Sequence, residues 1–538
     1  MDPYRSRAVE GVPEAPRDPG IVGDVIRQFA DPKAFFRELV QNAIDAGSAS
    51  VDIRIEHDPS AQKLRVAVRD RGVGMSRDTL ENQLLVLFRS TKETDPSKIG
   101  KFGIGFASVL APGPEVVTVQ TVHGGRRLTL HLYRDLTYEL FDTGAATQSG
   151  TNVELVLAIE EDAVVPFVSA SVEALVRWCR HASVPIELTW VPAEGAAQTT
   201  RIDRPLGLDN AIVQVIERSA DGQLIAVVGI LSDLAPYTGF FNHGLMLYEA
   251  AESLTGRVAV KIQDSRLGHT LSRDNVRRDE AYERAVSFAK TLATKHLPRV
   301  IEAELRAAAD AGDYERYRLL ADATLRSHVT IEWRFPLAHP LGEMRSIAGS
   351  DLPRRVWTSS GTSTLSSVVS ASNQPVLHAV IDEVEGLAAL IQTLYGCRRT
   401  RIESELTSIT PVAASPEDTA LLALLREMLA AARRAPSAIV LATFAGARGG
   451  AFAIAGDRRD DEHEAYLLDR TQAQQSPFGR LRRPPLLVNV DHPFWVHARS
   501  GDPRLTASHL ARAILLEYEL LDVATSQRLA DHTLDVLG

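Results

Sequence analysis

Between Phe36 and Ala46, the apolar residues Phe36, Val40 and Ile44 recur at helical spacing. Glu38, Gln41, Asn42 and Asp45 recur at i, i+3, i+4 and i+7 on another face. The pattern predicts a helix with one apolar and one polar stripe. Val51-Asp52-Ile53-Arg54-Ile55 and Leu64-Arg65-Val66-Ala67-Val68 then alternate with period two, as half-buried strands do. A helical pattern occupies about 279–323, and two more helical runs, about 505–522 and 526–537, close the sequence. On the first of these two, Leu510, Ile514, Tyr518 and Leu521 make an apolar stripe. Helices mixed with β-rich runs predict an α/β (α+β) chain.

Breaks in these patterns suggest the division into domains. Residues 1–20, rich in Pro and Gly, read as a flexible arm. An acidic stretch, Glu160-Glu161-Asp162, followed by Pro166, marks a boundary. The expected domains are therefore 21–160, a middle region 166–405 that is helical around 279–323, and a C-terminal domain 416–538. Thr407 to Pro416 reads as a linker, and the Ser/Thr-rich segment 357–373 fits either a loop or exposed strands.

Composition narrows the classes. A chain of 538 residues is too long for one hydrophobic core. Its net charge of -10 gives no global attraction to nucleic acid or anionic membrane. Cys179 and Cys397 are the only cysteines, too few for a disulfide framework, which points to a reducing compartment. The first residues lack the apolar core of a signal peptide, and no run of about 18 apolar residues occurs. A cytoplasmic protein with no membrane partner is expected.

Three motifs carry the chemistry. The polar stripe of the first helix would by itself be a solvated face more often than a site. Four residues of helix advance roughly 6 Å, so Glu38 and Asn42 could serve a water and a metal ion in one pocket. Asp70-Arg71-Gly72-Val73-Gly74-Met75 follows a strand: a turn on the plain reading, an acceptor for an exocyclic amino group on the functional one. Gly100-Lys101-Phe102-Gly103-Ile104-Gly105-Phe106-Ala107-Ser108 runs into a helical pattern, where exposed backbone N–H groups suit an anion. It is neither a P-loop nor a dinucleotide fingerprint.

Taken in order, with Gly150-Thr151 before a further strand, these motifs resemble those of the GHKL ATPase superfamily, and their flanking residues resemble the 90-kDa heat-shock chaperones. The resemblance implies a Bergerat-type two-layer α/β sandwich that binds ATP with Mg²⁺. It implies that Glu38 activates the attacking water and Asn42 ligates Mg²⁺. Asp70 would take the adenine amino group with support from Thr151, and Gly74 and Met75 would line the base. Gly103, Ile104, Gly105 and Phe106 would give backbone amides to the phosphates. Asn82, Arg89, Ser90, Lys92, Lys101 and Phe102 complete the implied nucleotide set, with Lys101 standing where the chaperones commonly have glutamine. Leu271-Ser272-Arg273-Asp274-Asn275 resembles the chaperones' middle-domain segment, making Arg273 the arginine that reaches the γ-phosphate. Leu487-Val488-Asn489-Val490-Asp491-His492-Pro493-Phe494 resembles a segment of their C-terminal domain, with His492 in a structural role. The implied function is an ATP-driven chaperone acting on unfolded or partly folded client proteins and dimerising through its final helices. A GHKL ATPase of DNA transactions and a nucleotide-gated switch remain as alternatives.

Overall fold

The computed structural model describes residues 31–85, 105–268, 275–361, 363–371, 373–456, 459–460, 465–469, 476, 478, 484–498 and 501–537. Two compact units are present, Met1–Leu297 and Pro298–Gly538.

In the first unit, helix α1 (Phe35–Asp45) forms where the two-stripe pattern places it. Phe35, Phe36, Leu39, Val40 and Ala43 are buried, and full burial of a large apolar side chain stabilises by about 1.5–3 kcal/mol. They pack on one face of an eight-stranded sheet in the order β5-β4-β3-β6-β2-β1-β7-β8. Its strands are β1 (Val51–Asp58), β2 (Lys63–Asp70), β3 (Val116–His123), β4 (Arg126–Tyr133), β5 (Tyr138–Ala145), β6 (Gly150–Ala158), β7 (Ile186–Val191) and β8 (Gln198–Arg201). Pairing is antiparallel throughout except between β1 and β7. Alternate residues, among them Ile53, Ile55, Leu64, Val66, Val117, Val119 and Leu155, point into the layer beneath α1 and a second helix, α2 (Glu161–Cys179). This is the two-layer α/β sandwich expected for the N-terminal part.

The sandwich does not stop at residue 160. Helix α2 runs through Pro166, and β7 and β8 complete the sheet beyond it. The acidic run that reads as a boundary is the first turn of α2, where Glu161 and Asp162 complement the helix dipole. Pro166 forfeits one backbone hydrogen bond, offset by burial of Val164, Leu175 and Cys179 in the common core.

The first unit continues in a five-stranded sheet, β12-β11-β13-β10-β9. Its strands are β9 (Ala211–Arg218), β10 (Leu224–Leu231), β11 (Tyr237–Asn242), β12 (Leu245–Ala250) and β13 (Ala259–Asp264), with helix α3 (Glu280–Thr291) against β10 and β13. A buried polar cluster ties β13 to the segment after α2. The Lys261 ammonium donates to His181 Nε2 at 2.9 Å and to the Gly207 carbonyl at 2.8 Å. The other ring nitrogen, Nδ1, lies 3.2 Å from the Arg204 carbonyl. Burial first, and the Lys261 charge second, hold His181 down at about 4, so it is neutral with its proton on Nδ1.

The second unit opens on α4 (Leu297–Ala311) and α5 (Tyr314–Ser327). A five-stranded sheet follows, ordered β15-β14-β17-β16-β18, from strands β14 (Arg334–Leu341), β15 (Met344–Ala348), β16 (Arg355–Ser359), β17 (Val376–His378) and β18 (Arg398–Arg401). The Ser/Thr-rich segment supplies the buried end of β16 and then a helix, Thr364–Ala371, anchored by buried Leu365 and Val369. Most of its described part is a buried strand end and a helix. A six-stranded sheet, β21-β24-β20-β19-β23-β22, is built from β19 (Leu406–Pro411), β20 (Ile439–Gly446), β21 (Ala453–Ala455), β22 (Arg459–Asp460), β23 (Ala465–Asp469) and β24 (Leu486–Asn489). The expected linker from Thr407 therefore holds a strand flanked on both sides, with Thr407, Ser408 and Ile409 buried. At the end of β24, buried Asn489 donates to the carbonyls of Gly449 and Ala451, and beyond it His492 Nδ1 accepts from the Phe494 amide. Both side chains make backbone hydrogen bonds here.

Helices α6 (Pro416–Ala431), α7 (Pro503–Glu517) and α8 (Val523–Leu537) close the second unit. Leu510 and Ile514 are fully buried against Leu425, Met428 and Leu429 of α6 and Leu529 of α8. Tyr518 donates to the Ala453 carbonyl, and Leu521 packs on the same core. The apolar stripe expected to dimerise is thus intrachain core. Among the described residues no helix is long and apolar enough to cross a membrane. Cys179 and Cys397 are free and buried.

Candidate functional site: a cavity between the first helix and the sheet

The polar stripe of α1 faces a cavity of about 470 Å³. Glu38, Gln41, Asn42 and Asp45 line one side; Asp70, Gly74, Met75, Thr151 and Val153 line another; Gly105 and Phe106 line a third. Glu38 is 8% exposed, its carboxylate 3.1 Å from the Arg37 guanidinium. Gln41 Nε2 donates to Asp45 Oδ1 at 3.0 Å.

Asp70 ends β2, directly opposite the start of β1. Its Oδ1 accepts from the backbone amides of Gly72 at 2.7 Å and Thr151 at 3.2 Å. Burial raises the Asp70 carboxyl above the ordinary Asp range, and these two amides pull it back. Oδ2 has no hydrogen-bond partner among the described residues, so it is the acceptor offered to the cavity. Gly150 makes the arrangement possible: its φ is +138°, and a Cβ there would lie 2.4 Å from the Asp70 carbonyl oxygen. Gly74, at φ +69°, lets the next turn press on β3, since a Cβ would meet the Val122 carbonyl at 2.0 Å. Met75 then donates its amide to Thr121 Oγ1 at 2.8 Å.

Gly105 precedes a short 3₁₀ turn, Phe106–Leu110, rather than an α-helix. The Ser108 hydroxyl returns to the Gly105 carbonyl at 2.6 Å, and Phe106 to Leu110 are all buried. Gly105 and Phe106 line the cavity.

The structure brings together Glu38, Asn42, Asp70, Gly74, Met75, Gly105, Phe106 and Thr151. It does not bring in Asn82. That amide is exposed and donates to Asp78 Oδ1 at 2.7 Å, one turn back, while Thr79 and Gln83 occupy the cavity wall. The turn Leu80–Leu84 is π-helical, which shifts the phase of its side chains relative to an α-helix. Arg89, Ser90, Lys92, Lys101, Phe102, Gly103, Ile104 and Arg273 lie outside the described residues. Sequence reasoning missed Thr121, which touches both Met75 and Thr151. The signal was there: Val117, Val119 and Thr121 share one face of β3, and Thr121 is a polar residue in a buried apolar row.

Comparison with known proteins agrees with this geometry. Residues 33–154 match the model of the family described as histidine kinase-, DNA gyrase B- and HSP90-like ATPase. The chaperone protein HtpG of Cupriavidus metallidurans is 36% identical over 124 residues, 18% of this chain and 19% of that protein. HtpG of Methylobacterium sp. strain 4-46 is 30% identical over 189 residues, 30% of each chain. HtpG of Cupriavidus taiwanensis is 31% identical over 196 residues, 30% of this chain and 29% of that protein. The chain thus spans less than a third of the length of these curated relatives. Within that span the sheet, the helix carrying Glu38 and Asn42, and the Asp70 turn fit the HSP90-like ATPase family that residues 33–154 match, and the matched part of the chain is similar to HtpG chaperones.

Proposed function

We propose that this protein is an ATP-driven chaperone of the heat-shock protein 90 type. The observation that carries the reading is the meeting of Glu38, Asn42, Asp70 and Thr151 at one cavity. Asp70 Oδ2 accepts the adenine amino group, Thr151 supports the ring directly or through a water, and Gly74 and Met75 line the base. The phosphates then lie toward Gly105 and Phe106, with backbone amides donating.

Glu38 acts as general base. It takes a proton from a water as the water oxygen bonds to the γ-phosphorus, and the bond from that phosphorus to the ADP oxygen breaks. The neighbouring Arg37 guanidinium lies 3.1 Å from this largely buried carboxylate. Asn42 and Glu38 offer oxygen donors to the cavity, the hard-ligand chemistry Mg²⁺ takes when it arrives with phosphates. When bound, Mg²⁺ would be held through Asn42 and would offset phosphate charge. Arg273 is proposed to reach the γ-phosphate from outside the first motifs.

The output is remodelling of unfolded or partly folded clients by a cytoplasmic homodimer. Because Leu510 and Ile514 are spent on the intrachain core, the dimer contact falls to exposed apolar residues of α7 and α8: Leu505, Leu516, Val523 and Leu534. The test is turnover by Glu38→Ala, which should bind ATP but hydrolyse it about 10²–10⁴-fold more slowly. A kcat within twofold of wild type would place the base elsewhere.

A further inference from the structure

The structure assigns Thr121, a residue that does not line the cavity, to the choice of adenine over guanine. This inference rests on the ATP reading above and goes beyond it. Thr121 is fully buried on β3, opposite Thr151 of β6 in the strand register. Its hydroxyl oxygen accepts the Met75 amide at 2.8 Å. Its single proton has two acceptors in reach, Thr151 Oγ1 at 3.1 Å and the Gly150 carbonyl at 3.4 Å. The contact to Thr151 is the shorter of the two, and the proton is assigned there. A hydroxyl has one hydrogen, so Thr151, once it accepts from Thr121, is left to donate into the cavity that it lines.

The cavity then presents two groups of fixed polarity. Asp70 Oδ2 is an acceptor, because Oδ1 is engaged by two amides and the group has no proton to give when ionised. Thr151 beside it is a donor. Adenine shows the complement on its Watson–Crick edge, an amino donor next to the N1 acceptor. Guanine shows the reverse, a carbonyl acceptor next to an N1–H donor, and would oppose both groups. A site built to make a hydrogen bond discriminates strongly against a ligand that leaves its polar groups unpaired. Thr121 sets the polarity of the second group without touching the ligand, and holds the base-lining Met75 through its amide. Valine would fill the same place in the Val117–Val119 row with no hydroxyl at all.

The test is a cycle in the full chain. Wild type, Thr121→Val and Thr121→Ser are titrated with ATP, GTP and 1-deaza-ATP, in which the N1 acceptor becomes C–H. Thermal unfolding without nucleotide is followed alongside. We expect wild type to prefer ATP to GTP, and to bind 1-deaza-ATP about tenfold more weakly than ATP. In Thr121→Val the ATP-to-GTP preference should shrink by about tenfold and the 1-deaza penalty should vanish. Thr121→Ser, which keeps the hydroxyl, should retain both within about threefold.

A merely structural role predicts equal losses for all three nucleotides in Thr121→Val, with the 1-deaza penalty kept, and would overturn the inference. Should Thr121→Val not fold, the wild-type comparison decides: no 1-deaza penalty refutes the donor at Thr151. Failure of wild type to bind any of the nucleotides refutes the ATP reading itself. Binding of ATP without preference over GTP refutes only the role of Thr121.

Discussion

Two helices of this protein carry side-chain stripes with opposite fates. On α1, the polar row Glu38, Gln41, Asn42 and Asp45 lines a cavity in the first unit. On α7, the apolar row Leu510 and Ile514 is sealed inside the second unit against α6 and α8. Periodicity identifies both stripes but ranks them wrongly: a polar stripe suggests solvent, and an apolar stripe near a terminus suggests a partner. An amphipathic pattern says which face is set apart, while what that face meets depends on elements distant in sequence. The cavity side of α1 is bounded by β2, β6 and the Asp70 turn; the buried side of α7 is bounded by a helix some eighty residues earlier.

The sharpest break of this contrast is at α7. Leu510→Ala should destabilise the second unit by about 2–5 kcal/mol, as removal of a fully buried leucine does. Denaturant unfolding of the chain should show the loss while ATP affinity stays the same. A full-strength fold with a broken dimer would return Leu510 to an interface.

Asp70→Asn tests the other stripe's cavity, with a smaller effect. Affinity for ATP should fall by about 1.5–3 kcal/mol on calorimetric titration, because a charged acceptor becomes a mixed donor and acceptor. Burial raises the Asp70 pKa, so its ionised form costs folding stability above that pKa and the neutral amide removes the cost. Unliganded Asp70→Asn should therefore unfold at or above the wild-type temperature. A variant that loses both ATP binding and stability would mark Asp70 as structural. The raised pKa also predicts that ATP affinity weakens on mild acidification sooner than for an ordinary Asp.

The exposed faces of the last helices sharpen the comparison from outside. Val523 is 88% and Leu516 66% exposed. The double variant Leu516→Asp, Val523→Asp should leave thermal stability within about 0.5 kcal/mol per site, as surface changes do. Light scattering should show a monomer in place of a dimer. An unchanged dimer moves the contact to another surface.

The smallest effect concerns His181 in the first unit. Its folded pKa lies at about 4 against an ordinary 6.5, so the unfolded chain binds the proton more readily. Stability present above pH 6.5 is lost as pH falls from 6.5 towards 4. His181→Gln, which can still accept from Lys261, should flatten that part of the pH dependence of the unfolding temperature. An unaltered slope would assign the acid sensitivity to other groups.

What was legible in the sequence was local. Helix α1, strands β1 and β2, and the Asp70-to-Met75 turn follow from spacing and from residues whose backbone preferences are strong. Glu38, Asn42, Asp70 and Thr151 were legible as members of motifs. Asn82, named only through the resemblance, donates to Asp78 on an exposed face of a π turn rather than lining the cavity. The acidic run before Pro166 looked like a boundary because the same acidic residues suit a linker and a helix N-terminus, and the packing of α2 chose between them.

By itself, then, the sequence determined the period of each element and the chemistry of the groups it carries, since both depend on neighbours a few residues apart. Only the tertiary structure decided the partners. Thr121 meets Thr151 thirty residues later because β3 and β6 pair in one register, and a shift of one residue would turn Thr121 to the other face. The polar row of α1 meets Asp70 because β2 lies under that helix, and Thr407 lies in a sheet because β20 and β23 flank it. Such meetings are set by long-range pairing and burial, which no window along the chain contains.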